Sequence, residues 1–517
     1  MSATPRYEVV IGIECHVELA TASKMFCGCS AKWFGAPPNT LVCPVCLGLP
    51  GALPVPNRRA IELAITAGIA LECATPAHTK FDRKNYLYPD LPKGYQISQY
   101  DLPLSVGGHL EIPADGGGLK RVGIRRAHLE EDTGRLLHGE ELGKRYSLID
   151  FNRSGVPLLE IVSEPDLSST AEALSYVQAL REIVIAAGIS EFRLEEGAGR
   201  FDTNVSIRFS EDGETRWPPL SEIKNLNSYR SLEEAATYEA ERLWQEWQAG
   251  GELRRRTSKI TVGWSQDRSE TFLQRTKEDV DDYRYFPEPD LVALAPDPEM
   301  VAGLRASLPE LPAARRARFV ADYGLSEYDV RVLVADPALA AWYEAAVKAA
   351  PAGQAKAVAN WVTSELVGAL KRDGTSLGPV AGTRTMTATV AAVQAPPTSA
   401  AAARVTPGQL GALVGLIASG EISGKIAKDV FAEMLRSGDE PAAIVLSREL
   451  AQVSDPSVIG TVVDAILAES PKVVADYTAG NVRALAALVG AVQRKMGGRA
   501  NPVLVNTLIA ERLAREA

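Results

Sequence analysis

Apolar and polar residues alternate from Val9 to Leu19 (VVIGIECHVEL), and a strand with that pattern has two unlike faces. Val9, Ile11, Ile13, Cys15, Val17 and Leu19 share one face; Glu14, His16 and Glu18 share the other. The apolar back suits a core. Carboxylates flanking an imidazole on the front suit a metal or proton-transfer site, with a wetted strand face as the plainer alternative. The pattern returns where Phe201, Thr203, Val205, Ile207 and Phe209 alternate with Asp202, Asn204, Ser206 and Arg208. This is predicted as the second arm of a hairpin spanning Arg193 to Phe209 and turning at Gly197-Ala198-Gly199. Gly107-Gly108 and Asp115 to Gly118 predict further strand turns, the second leading into Arg125-Arg126-Ala127-His128-Leu129-Glu130-Glu131-Asp132. Leu158 to Val162 is apolar except for Glu160, and a buried carboxylate must face a cation or a proton donor.

Helices are predicted from the cap at Asn57 to a stop at Gly68, from Ser168 to Gly188 with a capping box Ser169 to Glu172, and from Ser231 to Gly250 with a box Ser231 to Glu234. Beyond Pro296 the composition turns to Ala, Leu, Val and Arg at helical spacing. Residues 374–404 read as an Ala/Thr/Pro-rich linker, and helices resume at the capping box Thr406 to Gln409, with Pro407 in the first turn. The fold class expected is α+β: a sheet domain over 1–296, a helical domain over 297–373, and an all-helical tail over 405–517.

With 517 residues, several domains can each bury a core, and a net charge of −10 excludes a globally basic nucleic-acid binder. Any RNA contact must come from local patches, such as Arg254 to Arg256 with Lys259, or the tail cations Lys425, Lys428, Arg483, Arg494, Lys495 and Arg499, though a charged helix surface explains the latter equally. The start, MSATPRYEVV, lacks a basic segment followed by an apolar one, and no uncharged run spans a bilayer, so a soluble, cytoplasmic protein without membrane contact is expected.

In that compartment the six cysteines are better ligands or buried thiols than disulfides. Cys27-Gly28-Cys29 and Cys43-Pro44-Val45-Cys46, thirteen residues apart, have the spacing of a closed, structural zinc site. Cys15 and His16 are adjacent on a strand, so they point apart and form no nucleophilic dyad. From Lys80 to Gln99, cations alternate with Tyr86, Tyr88 and Tyr95 among prolines, which suits a loop that holds phosphates and stacks on bases, with a solvated loop as the alternative. Glu14, His16, Glu130, Glu131, Glu160 and Asp202 fall on separate strands, so one sheet would gather them on an acidic face of the kind that binds Mg²⁺ and nucleotide phosphates. Imidazole is an unusual Mg²⁺ ligand, and His16 leaves Mn²⁺ open. Neither a P-loop nor a Rossmann glycine fingerprint is present, so ATP would be held by the sheet.

The segments VIGIECHVEL, SKMFCGC, FDRKNYLYPDLPKGYQISQ, HLEEDTGR, VPLLEIVSEPD, RLEEGAGRFDTNVSI, EIKNLNSYRSLEEA, DDYRYFPEPDL and ISGKIAKDVF together resemble the B-subunit family of the glutamyl/aspartyl-tRNA amidotransferases, in the same order and from about Tyr7 onward. The resemblance implies a catalytic domain with a glutamine-synthetase-like antiparallel sheet, a helical middle domain and a tRNA-contacting tail. It also implies a heterotrimer formed with an amidase subunit plus a small third subunit, which works on misacylated tRNA(Gln), tRNA(Asn) or both with ATP and Mg²⁺. By match to the family's motifs, Glu14, His16, Glu130 or Glu131, and Glu160 are the expected metal ligands, with Asp202 and Asn204 beside them and Lys84 and Arg153 offsetting phosphate charge. Tyr88 is expected at the nucleotide. A segment Gly490 to Met496 departs from the family pattern, and the linker is longer and richer in alanine.

Two other classes compete. A ligase for a small acid explains the acidic sheet but gives the helical tail no task. A zinc-containing RNA-binding module explains the cysteines but not the separate carboxylates on apolar strands.

Overall fold

The computed structural model describes residues 7–141, 144–226, 228–254, 256–275, 283–373, 377, 405–478, 481 and 483–516. One compact unit runs to Pro312 and a second begins at Ala313. The expected linker lies outside the described residues, apart from Leu377.

The strands of the first unit are β1 (Glu8–Glu18), β2 (Asp82–Asn85), β3 (Tyr95–Ser98), β4 (Ser105–Pro113), β5 (Leu119–Glu131), β6 (Arg135–Glu141), β7 (Lys144–Asp150), β8 (Pro157–Ser163), β9 (Gly199–Glu211), β10 (Glu214–Arg216), β11 (Ser221–Leu226), β12 (Ile260–Ser265), β13 (Glu270–Arg275) and β14 (Phe286–Pro287). The main sheet has the order β13-β12-β11-β9-β1-β8-β5-β4, with β10 paired to β9. The central strand is thus the one whose alternation is clearest in the sequence. The sheet is antiparallel except that β11 and β12 run parallel, which corrects the purely antiparallel expectation. The cause is the helix between them: α3 (Tyr229–Gln248) carries the chain back across the sheet, as a parallel pair requires.

Helices α1 (Arg58–Ala70), α2 (Thr170–Ala186) and α3 cover one face of the sheet. Their Leu63, Tyr176, Leu180, Leu232 and Ala236 join Ile11, Ile13, Val17, Phe201, Val205 and Ile207 in a single core. The opposite face keeps the polar half of each alternating strand. Two small sheets stand apart from it: β14-β2-β3 and the β6-β7 hairpin.

Four local expectations change. The first arm of the hairpin at 193–198 is a series of turns, and only β9 is a strand. Helix α1 continues through Gly68, where a side chain would meet Ser105 Oγ at 2.1 Å, so that glycine marks a close approach of β4 rather than a stop. Gly107-Gly108 lies inside β4, since a side chain at Gly108 would come within 2.3 Å of the Leu71 carbonyl oxygen at the end of α1. Helix α3 is capped by Ser228, whose Oγ accepts from Ser231 N; the Ser231 hydroxyl is engaged with Ser228 and Gln266 instead.

In the first unit, α4 (Pro298–Ser307) packs Met300, Val301 and Leu304 against the sheet domain's core, beyond the boundary expected at 296. In the second unit, helices expected as two domains share a core: Phe319, Tyr343, Val358 and Leu366 pack with Leu410, Leu413, Val430 and Met434. Ile459, Val463, Leu488, Val492 and Ile509 form a separate one. The box at Thr406 and Gln409 is formed as the sequence predicts. No helix among the described residues is long and apolar enough to cross a membrane.

Gly108→Ala is expected to lose about 1–3 kcal/mol, the cost of overpacking, because the obstructing atom belongs to backbone. Urea unfolding measures this.

Candidate active site

Register decides which polar side chains meet. His16 on β1 lies opposite Glu160 on β8, and Glu160 lies opposite His128 on β5. One row further, Glu14 lies opposite Asp202 on β9, and in the polar row after that Asn204 lies opposite Glu222 on β11. Directly opposed residues share a face, so three successive polar rows cross the centre of the sheet.

The first row forms a compact cluster. His16 Nε2 is 3.6 Å from Glu160 Oε2 and 3.8 Å from Glu130 Oε1. His128 Nε2 approaches Glu160 Oε2 at 3.3 Å, while its buried Nδ1 has no hydrogen-bond partner. Burial alone would raise the Glu160 carboxyl; the His128 and His16 imidazoles overcome that and hold it well below the ordinary carboxylate range. Burial would lower His16, but its bond to Glu160 and the charges of Glu160 and Glu130 raise it to about 9. A carboxylate held between two imidazoles is ionised and ready for a cation.

The next two rows gather Glu14, Asp202 and Glu222, with one oxygen of each within 4.8 Å of the others. Asn204 Nδ2 donates to Glu14 Oε1 at 2.9 Å. Burial raises the Glu14 carboxyl, and the neighbouring charges of Glu160 and Glu222 raise it further. Lys224 Nζ sits 3.0 Å from Asp202 and 2.8 Å from Glu222, and Lys259 Nζ sits 3.1 Å from Glu222. These cations overcome burial and bring Glu222 down to about 2.

Other expected residues are placed differently. Glu131 points to the opposite face of β5 from Glu130, pairs with Lys93 and accepts from Ile97 N at 3.0 Å. Arg153 donates to the carbonyls of Thr133 (3.0 Å) and Gly134 (2.8 Å), and with Arg200 flanks Asp132. Lys84 is half-buried over the Tyr283 ring at 5.0 Å; burial opposes its charge, yet Tyr285, Glu130, Tyr86 and Glu160 raise it above the ordinary lysine value. Tyr88 is exposed at a turn. Most cations of the Lys80 to Gln99 segment are internally paired: Lys80 with Asp82 and Asp101, and Arg83 with Glu288 through two bonds of 2.7 and 2.8 Å. Arg254 reaches Glu211, so it is not free for RNA.

Sequence reasoning passed over His128, Glu222 and Lys224. His128 stands two residues before Glu130, and Glu222 and Lys224 flank the buried Ile223. The period-2 signal was present in both segments. What was missing was the strand each one pairs with.

Cys27, Cys29, Cys43 and Cys46 come together beside this face, with their sulfurs within 4.8 Å of one another. Hydrogen bonding from Cys27 brings the Cys46 thiol down to about 4 against burial, and the Cys43 N–H and the Lys24 ammonium act the same way. The loop between the cysteine pairs is tied to the segment that carries Arg153. Fully buried Asn152 accepts from Leu41 N and donates to the Pro37 carbonyl, each at 2.8 Å. From the same loop, Trp33 Nε1 donates to Glu18 Oε2 at 3.1 Å. Burial and the charge of Asp132 raise Glu18 to about 8, against this bond. Asn152→Ala removes two hydrogen bonds that tie this loop down, so a loss of about 1–3 kcal/mol is expected by denaturant unfolding.

The family profile described as the GatB/GatE catalytic domain matches residues 9–302, and the one described as the GatB domain matches residues 341–513. The chain is 48% identical over 507 residues to the B subunit of the aspartyl/glutamyl-tRNA(Asn/Gln) amidotransferase of Thermomicrobium roseum, covering 98% of this chain and 99% of that one. It is 46% identical over 510 residues to the protein of the same name from Carboxydothermus hydrogenoformans, with 98% and 99% covered. Identity to the Moorella thermoacetica protein of that name is 47% over 507 residues, with 98% and 100% covered. With the motifs in the same order and the match running nearly end to end, the chain belongs to the B-subunit family of the aspartyl/glutamyl-tRNA(Asn/Gln) amidotransferases.

Proposed function

We propose that this chain is the component in which the side-chain carboxylate of Glu-tRNA(Gln), Asp-tRNA(Asn) or both is phosphorylated by ATP and then converted to the amide. Ammonia comes from glutamine hydrolysed on the partner amidase, in a heterotrimer completed by a small third subunit. A carboxylate oxygen is a poor leaving group, so phosphorylation must precede attack by ammonia; the new C–N bond then forms as phosphate departs and the nitrogen loses a proton. Phosphoryl transfer asks chiefly for positioning and for positive charge near the phosphate oxygens. The observation that carries this reading is the cluster of His16, Glu130 and Glu160 beside Glu14, Asp202 and Glu222 on one sheet face, in a chain with relatives named for the reaction.

The donor chemistry fits a divalent cation. Oxygens of Glu130 and Glu160 with an imidazole nitrogen of His16 would hold Mg²⁺ or Mn²⁺, and Glu14, Asp202 and Glu222 form a second oxygen set. Glu130 rather than Glu131 belongs to the site, because Glu131 is committed to Lys93. Bound there, the ion would withdraw charge from phosphate oxygens. Lys84, facing Glu130 and Glu160, adds a fixed cation. Arg153, with Nε and Nη2 anchored to backbone, would meet phosphate through Nη1, and exposed Tyr88 would stack on the base. Asn204 orients Glu14, and Asp202 holds Lys224 in place.

The four cysteines fit structural zinc. A tetrahedral site with bonds of about 2.3 Å sets sulfurs about 3.8 Å apart, and Cys43 and Cys46 stand at 3.8 Å. The tail over 405–517 would contact tRNA, and the enzyme would work in the cytoplasm, where aminoacyl-tRNA is used.

In the assembled heterotrimer, ATP cleavage should depend on misacylated tRNA, and Glu160→Gln should reduce it at least about 100-fold, the scale of a lost charge-stabilising group. Turnover on free glutamate without tRNA would contradict the reading. Elemental analysis should find one zinc per chain, lost in Cys46→Ser; a metal-free wild type would contradict the thiolate site.

A further inference from the structure

Strand β5 carries an irregularity beside the acidic cluster. Its register against β8 shifts between Ile124, opposite Ser163, and Arg126, opposite Val162. The buried positions change parity there: Val122 and Ile124 precede it, Ala127 and Leu129 follow it. A bulge of this kind inserts one residue and re-aims its neighbours. Here it turns Arg126 onto the face shared by His128 and Glu130.

The two arginines at the bulge differ in what they touch. Arg125 reaches Glu164 at 2.7 Å. Arg126 is half-buried, has no hydrogen bond or ion pair among the described residues, and its Nε is shielded from water without an acceptor. Several other cations of this unit are engaged: Arg200 with Asp132, Lys224 with Asp202 and Glu222, and Lys93 with Glu131, while Arg153 keeps Nη1 and Lys84 lies over the Tyr283 ring. A half-buried guanidinium without a counter-charge is costly unless a ligand supplies one, and its planar fork matches two oxygens of a phosphoryl group.

We propose that Arg126 is an oxyanion seat for the phosphates of the nucleotide. The assignment to a nucleotide rests on the ATP-dependent reading above; the seat itself rests on the bulge and the unpartnered guanidinium. A tRNA phosphate offers the same chemistry, but the position beside His128 and Glu130 favours the nucleotide.

The test is calorimetric binding to the assembled heterotrimer of a non-hydrolysable ATP analogue, of tripolyphosphate and of deacylated tRNA. For R126Q, affinity for the first two should fall about 10- to 100-fold, the scale of a lost charged hydrogen-bonding group, with R126K between. Affinity for tRNA should be unchanged. Because Arg126 has no internal partner, R126Q should melt with the wild type, which a structural arginine would not allow. Equal affinity of wild type and R126Q for tripolyphosphate overturns the proposal, as does a loss confined to tRNA or wild-type binding to neither probe. Arg126-dependent binding of tripolyphosphate without binding of the ATP analogue would leave the seat standing and refute the ATP reading.

Discussion

The register of β1 between β8 and β9 is the constraint on which the site depends. Because side chains alternate strictly along a strand, a slip of one residue would carry Ile11, Ile13 and Val17 to the charged face and Glu14 and His16 into the core. The helices covering the apolar side make that slip prohibitive, since Tyr176, Leu180 and Leu232 pack against those same residues. Burial on one face therefore fixes chemistry on the other. His16 meets Glu160, and Glu14 meets Asp202, because the core leaves no other alignment.

Charge on this face is balanced with little surplus. Two histidines hold Glu160 ionised, two lysines hold Glu222, and two arginines flank Asp132. On the small sheet β14-β2-β3, Arg83 is used in the same way by Glu288, and Lys80 just before β2 by Asp82, while Lys84 has no carboxylate partner among the described residues. The four-cysteine loop adds a brace from the side, through Asn152 and Trp33. What is left over is informative for that reason: Glu14, pushed up by burial and by neighbouring acids, calls for a cation, and the unpartnered Arg126 calls for an anion.

Much of this was legible in the sequence, and the limits follow from range of interaction. Alternation along β1 and β9, the caps at Asn57, Ser169 and Thr406, and the cysteine spacing are local signals, and the structure contains each. Gly68 and Gly108 were misread because their reasons lie across the fold, in Ser105 and in the Leu71 carbonyl. Glu14, His16, Glu130, Glu160 and Asp202 share one face, but Glu131 points away from it to Lys93, and the division into a His16 group and a Glu14 group depends on strand order, which alternation does not encode. The β5 bulge was hidden because Arg125 and Arg126 look like any basic pair until β8 is beside them.

The central claim is that this face activates a carboxylate by moving a phosphoryl group onto it. The most direct measurement uses misacylated tRNA labelled with ¹⁸O in both side-chain carboxylate oxygens, turned over once by the assembled enzyme with ATP and glutamine. The account requires one ¹⁸O in the released phosphate for each amide formed. Unlabelled phosphate accompanying labelled amide would contradict it.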